Sequence, residues 1–340
     1  MSNEILLPIL PTSVIGSYPK PWWLRKVKRL WEMGKADNDD LMEAENDAVI
    51  AVVREQELAG IDIPSDGEQR REEMVEYFAE RLGGFKFYGP VRVWGNNYFN
   101  KPAVVDKIVY KEPITLSEYL FLRKVSTRKI VKVTITGPYT IADWSFNEYY
   151  STKEELVKEL SSIINKELKM LADNGALFIQ IDEPALTTHP DEVEWALELI
   201  DRTADNINAK IGLHVCYSNY RLLMPHLDNL RNISQLLLEF ANRRFTDLDI
   251  LKDFPLEIGL GVIDVHSKRI ESPEEVSLAI KKALNYIDAD RIYINPDCGL
   301  KLMPREVARL KMENMVKGTM IVREELKKRG REITIFRTRM

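Results

Sequence analysis

The stretch KIGLHVCYSN, residues 210–219, carries the pattern on which the predicted fold rests. A short apolar run leads directly into His214 and Cys216, which are two positions apart. Such a run is typical of a strand buried in a parallel sheet, and side chains two apart on a strand point to the same face. The stretch therefore predicts a buried strand that carries an imidazole and a thiol together at its C-terminal end.

Apolar runs of this kind recur along the chain. Eight of them predict strands, at 12–17, 60–64, 130–136, 177–181, 210–215, 235–240, 257–262 and 291–295. Helical patterns follow most of these runs, at 40–58, 69–81, 152–174, 190–208, 273–286 and 304–329. The alternation predicts an α/β protein, specifically a (β/α)8 TIM barrel. A doubly wound open sheet would give the same alternation, but no glycine-rich phosphate loop follows the first strand to favour it.

Two segments interrupt the alternation. Residues 83–112 alternate apolar and polar positions and contain turn glycines, which predicts a β-hairpin inserted after the second barrel unit. Residues 19–39 are rich in Trp and Lys and predict an irregular arm. No linker divides the chain, so the sequence predicts a single catalytic barrel domain over 1–340.

The composition is that of a globular protein. Hydrophobic residues make up 45% of the chain, and the formal net charge of −5 gives no overall attraction to nucleic acid or to an anionic membrane. Two cysteines in 340 residues argue against a disulfide framework. The first residues lack the basic start and long apolar run of a signal peptide or a membrane helix. We therefore expect a cytoplasmic protein without nucleic-acid or membrane partners.

Glu239 and Cys298 end two other apolar runs, in the sequences QLLLEFAN and INPDCGLK. Together with His214 and Cys216 they give one candidate Zn²⁺ site, because zinc takes thiolate, imidazole and carboxylate ligands in tetrahedral geometry. The residues alone leave an alternative open, since a free cysteine is often only a small buried hydrophobe. The four positions are far apart along the chain, so only the fold can bring them together.

Reactive polar residues end most of the other predicted strands as well. They are Ile15-Gly16-Ser17, Asp66-Gly67-Glu68, Thr136-Gly137-Pro138, Asp182-Glu183, Asp264 with His266, and Asp297 beside Cys298. In a barrel the C-terminal strand ends build the active site. These residues therefore predict a catalytic rim, although loops are polar in any protein.

Long stretches of the chain resemble the catalytic barrel of cobalamin-independent methionine synthase. The matching stretches are IGSYP (15–19), DGEQRREEMVEYF (66–78), TGPYTIADWSF (136–146), IQIDEPAL (179–186), HVCYSN (214–219), DVHS (264–267) and NPDCGLK (295–301). They occur in order and extend across nearly the whole chain. The resemblance implies a zinc ion held by His214, Cys216, Glu239 and Cys298. It also implies transfer of a methyl group to the thiol of L-homocysteine, which forms L-methionine.

The resemblance also implies roles for single residues. The homocysteine site would be formed by Ile15, Gly16, Ser17, Glu68 and Asp182, the two carboxylates binding the ammonium group. His266 would protonate the leaving nitrogen of the methyl donor, and Trp144 would form a platform for a pterin ring. From the residues alone, the carboxylates could instead pair with Arg70 or Arg71, and a lone His or Trp is often structural.

The donor side departs from the family pattern. Thr187 and Thr188 stand where the long enzymes carry an Arg-Glu pair, and YFNKP at 98–102 lacks the arginine found near the inserted segment. The chain resembles the short form, which lacks the N-terminal barrel that helps to bind the folate tail. We therefore expect methylcobalamin, a corrinoid protein or a methyl-pterin as donor, and a partner protein in place of the missing barrel.

Two other functions remain open at this stage. A zinc-dependent corrinoid:thiol methyltransferase would act on another thiol such as coenzyme M, but its sulfonate would need cationic partners instead of Glu68 and Asp182. A noncatalytic zinc-binding subunit would have no use for His266.

Overall fold

The structure, a computed structural model, describes residues 5–94 and 97–338. Its strands are β1 (Ile5–Pro8), β2 (Leu82–Trp94), β3 (Asn97–Tyr110), β4 (Lys132–Thr136), β5 (Phe146–Asn147), β6 (Phe178–Asp182), β7 (Lys210–Val215), β8 (Gln235–Leu238), β9 (Glu257–Ile263), β10 (Ile292–Pro296) and β11 (Ile333–Phe336). Its α-helices are α1 (Trp22–Glu32), α2 (Asn38–Ala59), α3 (Met74–Arg81), α4 (Leu116–Val125), α5 (Pro138–Asp143), α6 (Lys153–Asp173), α7 (Val193–Thr203), α8 (Pro273–Ala283) and α9 (Arg305–Lys327).

The main sheet has its strands in the hydrogen-bonding order β10-β9-β8-β7-β6-β4. The pairs β9–β10 and β6–β7 are parallel. Helix α7 connects β6 to β7, and α8 connects β9 to β10. Every residue of β4, β6, β7, β8 and β10 is buried, as apolar strands between helices require. The predicted α/β class with a parallel sheet is confirmed.

The predicted strands at 12–17 and 60–64 are shorter than expected. Each forms only isolated parallel bridges, Thr12 with Ile294 and Ser13 with Ile63. Proline has no N–H to donate to a ladder, and prolines 11 and 64 flank these bridges. In the part of the chain that the structure describes, the continuous ladder of the main sheet thus has six strands, and its closure into a barrel stays a prediction.

Part of the arm at 19–39, which we expected to be irregular, is the regular helix α1. Leu24 is buried against Ala44 and Ala48 of α2, and neighbouring apolar residues of α1 are partly buried there. The expectation was wrong because the high Trp and Lys content obscured apolar residues at helical spacing.

Strands β2 and β3 lie in the region of the predicted hairpin at 83–112. They pair antiparallel, with Leu82 opposite Tyr110 and Trp94 opposite Asn97, and β5 adds to β3 in parallel. Gly84 adopts a φ of 90°, and a Cβ there would lie 2.6 Å from the carbonyl oxygen of Lys107. The residues that connect the two strands lie outside the described ranges. That this ribbon is an inserted hairpin therefore stays a prediction.

Contacts group the described residues into two compact units. The first comprises 5–70, 118–133 and 237–338, and the second comprises 71–117 and 134–236. The first contains β9 and β10 with helices α2, α8 and α9, and the second contains β6, β7, α6, α7 and the ribbon. The single-domain assignment over 1–340 stays a prediction.

Local sequence explains where the long helices begin. Asp37 and Asp40 form a capping box at the start of α2, and Ser272 and Glu275 form another at the start of α8. The hydroxyl of Thr152 accepts a backbone N–H at the start of α6. Among the described helices, none is long and apolar enough to cross a membrane.

Candidate active site and metal centre

Three of the four predicted zinc ligands form one cluster. The donor atoms of His214, Cys216 and Cys298 all lie within 4.8 Å of one another. His214 and Cys216 are buried at the end of β7, and Cys298 is half-buried just after β10. Zinc bonds of about 2.0–2.3 Å place tetrahedral ligand atoms roughly 3.5 Å apart. The donor set and its spacing therefore fit a zinc ion after a small closure of the cluster.

Glu239, the fourth predicted ligand, does not belong to this group of three. It lies directly after β8, and its side chain is 1% exposed. Its Oε1 lies 3.7 Å from Nε2 of His266, which is 30% exposed. The structure thus brings together the predicted fourth ligand and the predicted proton donor.

A buried ion pair between Lys311 and Glu271 anchors the loop that carries His266. Nζ of Lys311, in α9, donates to Glu271 at 2.8 Å and to the carbonyl oxygen of Asp264 at 2.9 Å. The carboxylate of Asp264 accepts the backbone N–H of His266 at 2.8 Å. Asp264 therefore orders the backbone of the loop that carries His266.

Asp297 is a buried carboxylate that the sequence places on the predicted rim, without an individual role. It accepts backbone N–H bonds from Phe240, Ala241 and Asn242 at 3.0, 3.0 and 2.6 Å. Burial raises the pKa of its carboxyl to about 8, although the three donated hydrogen bonds favour the charged form. Because residues 240–242 directly follow Glu239, and Asp297 directly precedes Cys298, one side chain connects both segments.

Asp182 lies at the end of β6, where the β6–β7 register places it opposite His214. Its side chain accepts a hydrogen bond from Nε2 of Gln180 at 2.6 Å, and it is 8% exposed. Of the two arginines considered as alternative partners, Arg70 donates to Asn46 at 2.6 Å, while Arg71 donates to the carbonyl oxygen of Thr134 at 2.9 Å.

Glu183, the neighbour of Asp182, is fully buried and holds the TGPYT segment. It accepts the backbone N–H groups of Tyr139 and Thr140 at 2.9 and 2.7 Å. A Cβ on Gly137 would lie 2.1 Å from its Oε1, so only glycine leaves room for the carboxylate. Burial raises the pKa of Glu183 to about 8.

The segment 15–17 lies close to the Cys298 loop. The backbone carbonyl of Ser17 accepts the N–H of Leu300 at 2.8 Å. A Cβ on Gly299, the residue after Cys298, would lie 2.1 Å from Oγ of Ser17. The hydroxyl of Ser65 donates to the carbonyl of Gly16 at 3.0 Å. Residues 15–17, which the resemblance assigns to the amino-acid part of homocysteine, are thus fixed beside the candidate metal ligand Cys298.

Glu68 and Trp144 occupy irregular positions at strand or helix ends. Glu68 has a φ of 53°, and its backbone N–H donates to Asp66 at 2.9 Å. A non-glycine residue in this left-handed region costs about 1–3 kcal/mol, and such strain is common at functional sites. Trp144 follows α5 and is half-buried. Beside it, Asp143 accepts from Lys153 at 2.7 Å.

The fold and the cluster together define an α/β protein with a thiol and imidazole centre at its strand ends. Residues 10–320 match the family model described as cobalamin-independent synthase, catalytic domain. The chain is 59% identical to the methionine synthase of Pyrococcus abyssi and 58% identical to that of Pyrococcus horikoshii, over 98% of this chain and of each relative.

A solved structure is also similar to this chain. The B12-independent methionine synthase from Shewanella sp. W3-18-1, in complex with selenomethionine, is 32% identical and superposes with a TM-score of 0.86. The match covers 94% of this chain and 99% of that one. The chain belongs to the cobalamin-independent methionine synthase family. It is an enzyme, a methyltransferase of the methionine synthase type, so the interpretation as a noncatalytic subunit is wrong.

Proposed function

We propose that this enzyme transfers a methyl group to the thiol of L-homocysteine in a zinc-dependent reaction and so forms L-methionine. The observation that carries the proposal is the cluster of His214, Cys216 and Cys298, whose donor atoms lie within 4.8 Å of one another. We propose Glu239 as the fourth ligand, since it is buried after the neighbouring strand β8. The relatives named methionine synthase support the same reaction.

Zinc, when bound, would deprotonate the homocysteine thiol at neutral pH, where a free thiol with a pKa near 8.5 is mostly protonated. The chain itself would hold the amino-acid part of the substrate. Ile15, Gly16 and Ser17 would bind it through backbone groups and the Ser17 hydroxyl. Glu68 and Asp182 would bind the ammonium group, and the position of Asp182 opposite His214 supports this role.

His266 would supply the proton that the leaving group needs. As the bond between sulfur and the methyl carbon forms, the bond from that carbon to the donor nitrogen breaks, and the electron pair remains on the nitrogen. The nitrogen then takes the proton from the imidazole. The imidazole lies beside the candidate ligands, since its Nε2 is 3.7 Å from Oε1 of Glu239. Trp144 would support the ring of a pterin donor.

The residues that would contact the methyl donor differ from those of the long enzymes. The hydroxyl of Thr188 donates to the carbonyl of Ala185 at 2.7 Å, so it replaces the acid of the long enzymes with an internal hydrogen bond. We propose methylcobalamin, a corrinoid protein or a methyl-pterin as donor. A partner protein in place of the additional barrel, and a cytoplasmic location, belong to the same proposal.

We also propose the (β/α)8 barrel as the complete architecture. Backbone hydrogen bonds of the two short stretches at 12–17 and 60–64 support it. Ser13 donates to Ile294 at 2.8 Å, Ile63 donates to Thr12 at 3.0 Å, and Lys132 donates to Pro64 at 2.9 Å. These bonds continue the pairing from β10 through the two short stretches to β4, which is the connection that a barrel requires.

The function is tested by homocysteine-dependent methionine formation with zinc-loaded protein, with methyltetrahydrofolate and methylcobalamin as parallel donors. Coenzyme M replaces homocysteine as the acceptor control. It is not favoured, because its sulfonate lacks the ammonium group that Glu68 and Asp182 suit, and we expect no product from it. Failure with both donors and with a methylated corrinoid protein, in protein shown to contain zinc, would contradict the proposal.

A further inference from the structure

One buried carboxylate joins the segments of two candidate ligands. Asp297, which is 0% exposed, receives the three consecutive amides of 240–242, and it precedes Cys298 in the chain. The first of these amides belongs to the residue after Glu239. The backbone N–H of Asp297 in turn donates to Ile263 of β9 at 2.9 Å. The carboxylate therefore fixes the chain after β8 relative to the chain after β10.

The space around this carboxylate is shaped by a glycine. A Cβ on Gly261, in β9, would lie 2.3 Å from Oδ1 of Asp297 and 2.7 Å from the carbonyl oxygen of Leu238. Any larger residue at Gly261 would therefore push the carboxylate away from the amides. The three amides use both carboxylate oxygens, because Oδ1 accepts two of them and Oδ2 accepts the third.

We propose that Asp297 is a positioning residue that sets the spacing of Glu239 and Cys298 for zinc. The inference rests on the proposed function, since it needs zinc at this site. A pair of ligands on separate loops loses affinity when each loop moves independently, and one shared carboxylate removes that freedom. Groups that orient metal ligands typically change metal affinity by about 10–100-fold when they are lost.

A matched control is Asp201, which caps the backbone before β8 as Asp297 caps the backbone after it. Asp201 is also a buried carboxylate, and it accepts the backbone N–H groups of Arg231, Asn232 and Ile233 at 3.1, 2.8 and 3.0 Å. Those residues precede β8, whereas residues 240–242 follow it. Asp201→Asn therefore removes the same kind of cap without touching the segments beside the ligands.

The experiment compares zinc affinity, by competition with a chelator, in the full-length wild type, Asp297→Asn and Asp201→Asn. An asparagine keeps one acceptor oxygen but presents an NH₂ group to the third amide. We expect Asp297→Asn to lower zinc affinity about 10–100-fold and to speed hydrogen exchange at 240–242. Asp201→Asn should speed exchange at 231–233 and leave zinc affinity unchanged.

Asp297→Ser provides a second test, because its shorter side chain loosens the shared cap without adding bulk beside Gly261. We expect a loss of zinc affinity in the same range, which keeps the inference testable if Asp297→Asn does not fold. Equal zinc affinity in Asp297→Asn and the wild type, despite faster exchange at 240–242, would overturn the inference. So would an equal loss in Asp201→Asn. A wild-type protein that binds no zinc would instead overturn the proposed function itself.

Discussion

His214 and His226 form a matched pair of histidines for testing the metal centre. His214 belongs to the cluster of donor atoms, whereas His226 lines a groove beside α7. In His214→Ala one ligand is lost, so we expect loss of bound zinc and a fall in methionine formation of more than about 100-fold, beyond the effect of losing a supporting group. His226→Ala should retain both. Metal analysis and the methyl transfer assay measure the two effects, and zinc retention in His214→Ala would exclude it as a ligand.

His266 is testable as a proton donor because a second histidine has a similar carboxylate contact. Nε2 of His189 lies 3.1 Å from Asp143, much as Nε2 of His266 lies 3.7 Å from Glu239. With a donor that leaves through nitrogen, His266→Asn should lower kcat by about 10²–10⁴-fold, the usual contribution of a general acid. Zinc content and homocysteine affinity should persist, and His189→Asn should keep its kcat. Equal losses in the two variants would argue against the role.

The sequence indicates the candidate metal ligands better than the residues that support them. His214 and Cys216 were predictable because the period of a strand places them on one face. Asp297 and Glu183 were placed on the predicted rim but given no individual role, since their backbone partners lie 57 and 44 positions away along the chain. A carboxylate that caps distant amides leaves no local pattern. Only the folded chain reveals which loop each one holds.

At the scale of elements, α9 stabilises the His266 loop through a buried ion pair. Lys311 is 0% exposed and Glu271 is 8% exposed, and they lie 2.8 Å apart. Lys311→Met would leave Glu271 buried without its cation, which typically costs about 3–5 kcal/mol. Lys281 and Glu325, which link α8 to α9, are 38% and 44% exposed. Lys281→Met should therefore cost only about 0–1 kcal/mol.

Urea denaturation of the two variants measures the difference in the free energy of unfolding. A similar small loss in both would show that Lys311 is solvated in solution. Removing Lys311 should also disturb the loop that carries His266, because Nζ of Lys311 donates to the carbonyl of Asp264 at 2.9 Å. We therefore expect lower methyl transfer in Lys311→Met with zinc content retained.

Helices were predicted more accurately than strand pairing. The helix predicted at 152–174 is found at Lys153–Asp173, because Thr152 is a local capping signal. No helix was predicted after β7 or β8, and short 3₁₀ segments, Met224–Asn229 and Leu248–Leu251, occur there. The stretches at 12–17 and 60–64 form only bridges. Their pairing depends on partners far away in the chain, which an apolar run does not specify.

For the whole molecule, burial of Glu183 predicts how stability changes with pH. The pKa of this carboxyl is raised by burial from its ordinary 4.5 to about 8. Below pH 4.5 the folded and unfolded states are both protonated, so the group does not oppose folding. Between pH 4.5 and 8 only the unfolded state releases the proton, and the free energy of unfolding falls by about 1.4 kcal/mol per pH unit. Stability due to this group is therefore lost as the pH rises.

Glu183→Gln separates this effect from all other titrations. Glutamine cannot ionise, so the stability of the variant relative to wild type should rise between pH 4.5 and 8 and level off above that range. Other titrating groups, including the candidate metal ligands, are common to both proteins and cancel in the difference. Glu306→Gln is the control, since Arg309 lowers the pKa of this exposed carboxyl and its difference should be flat above pH 5. Chemical denaturation at several pH values measures both curves. A flat difference for Glu183→Gln would mean that the amides of Tyr139 and Thr140 keep the buried carboxylate charged.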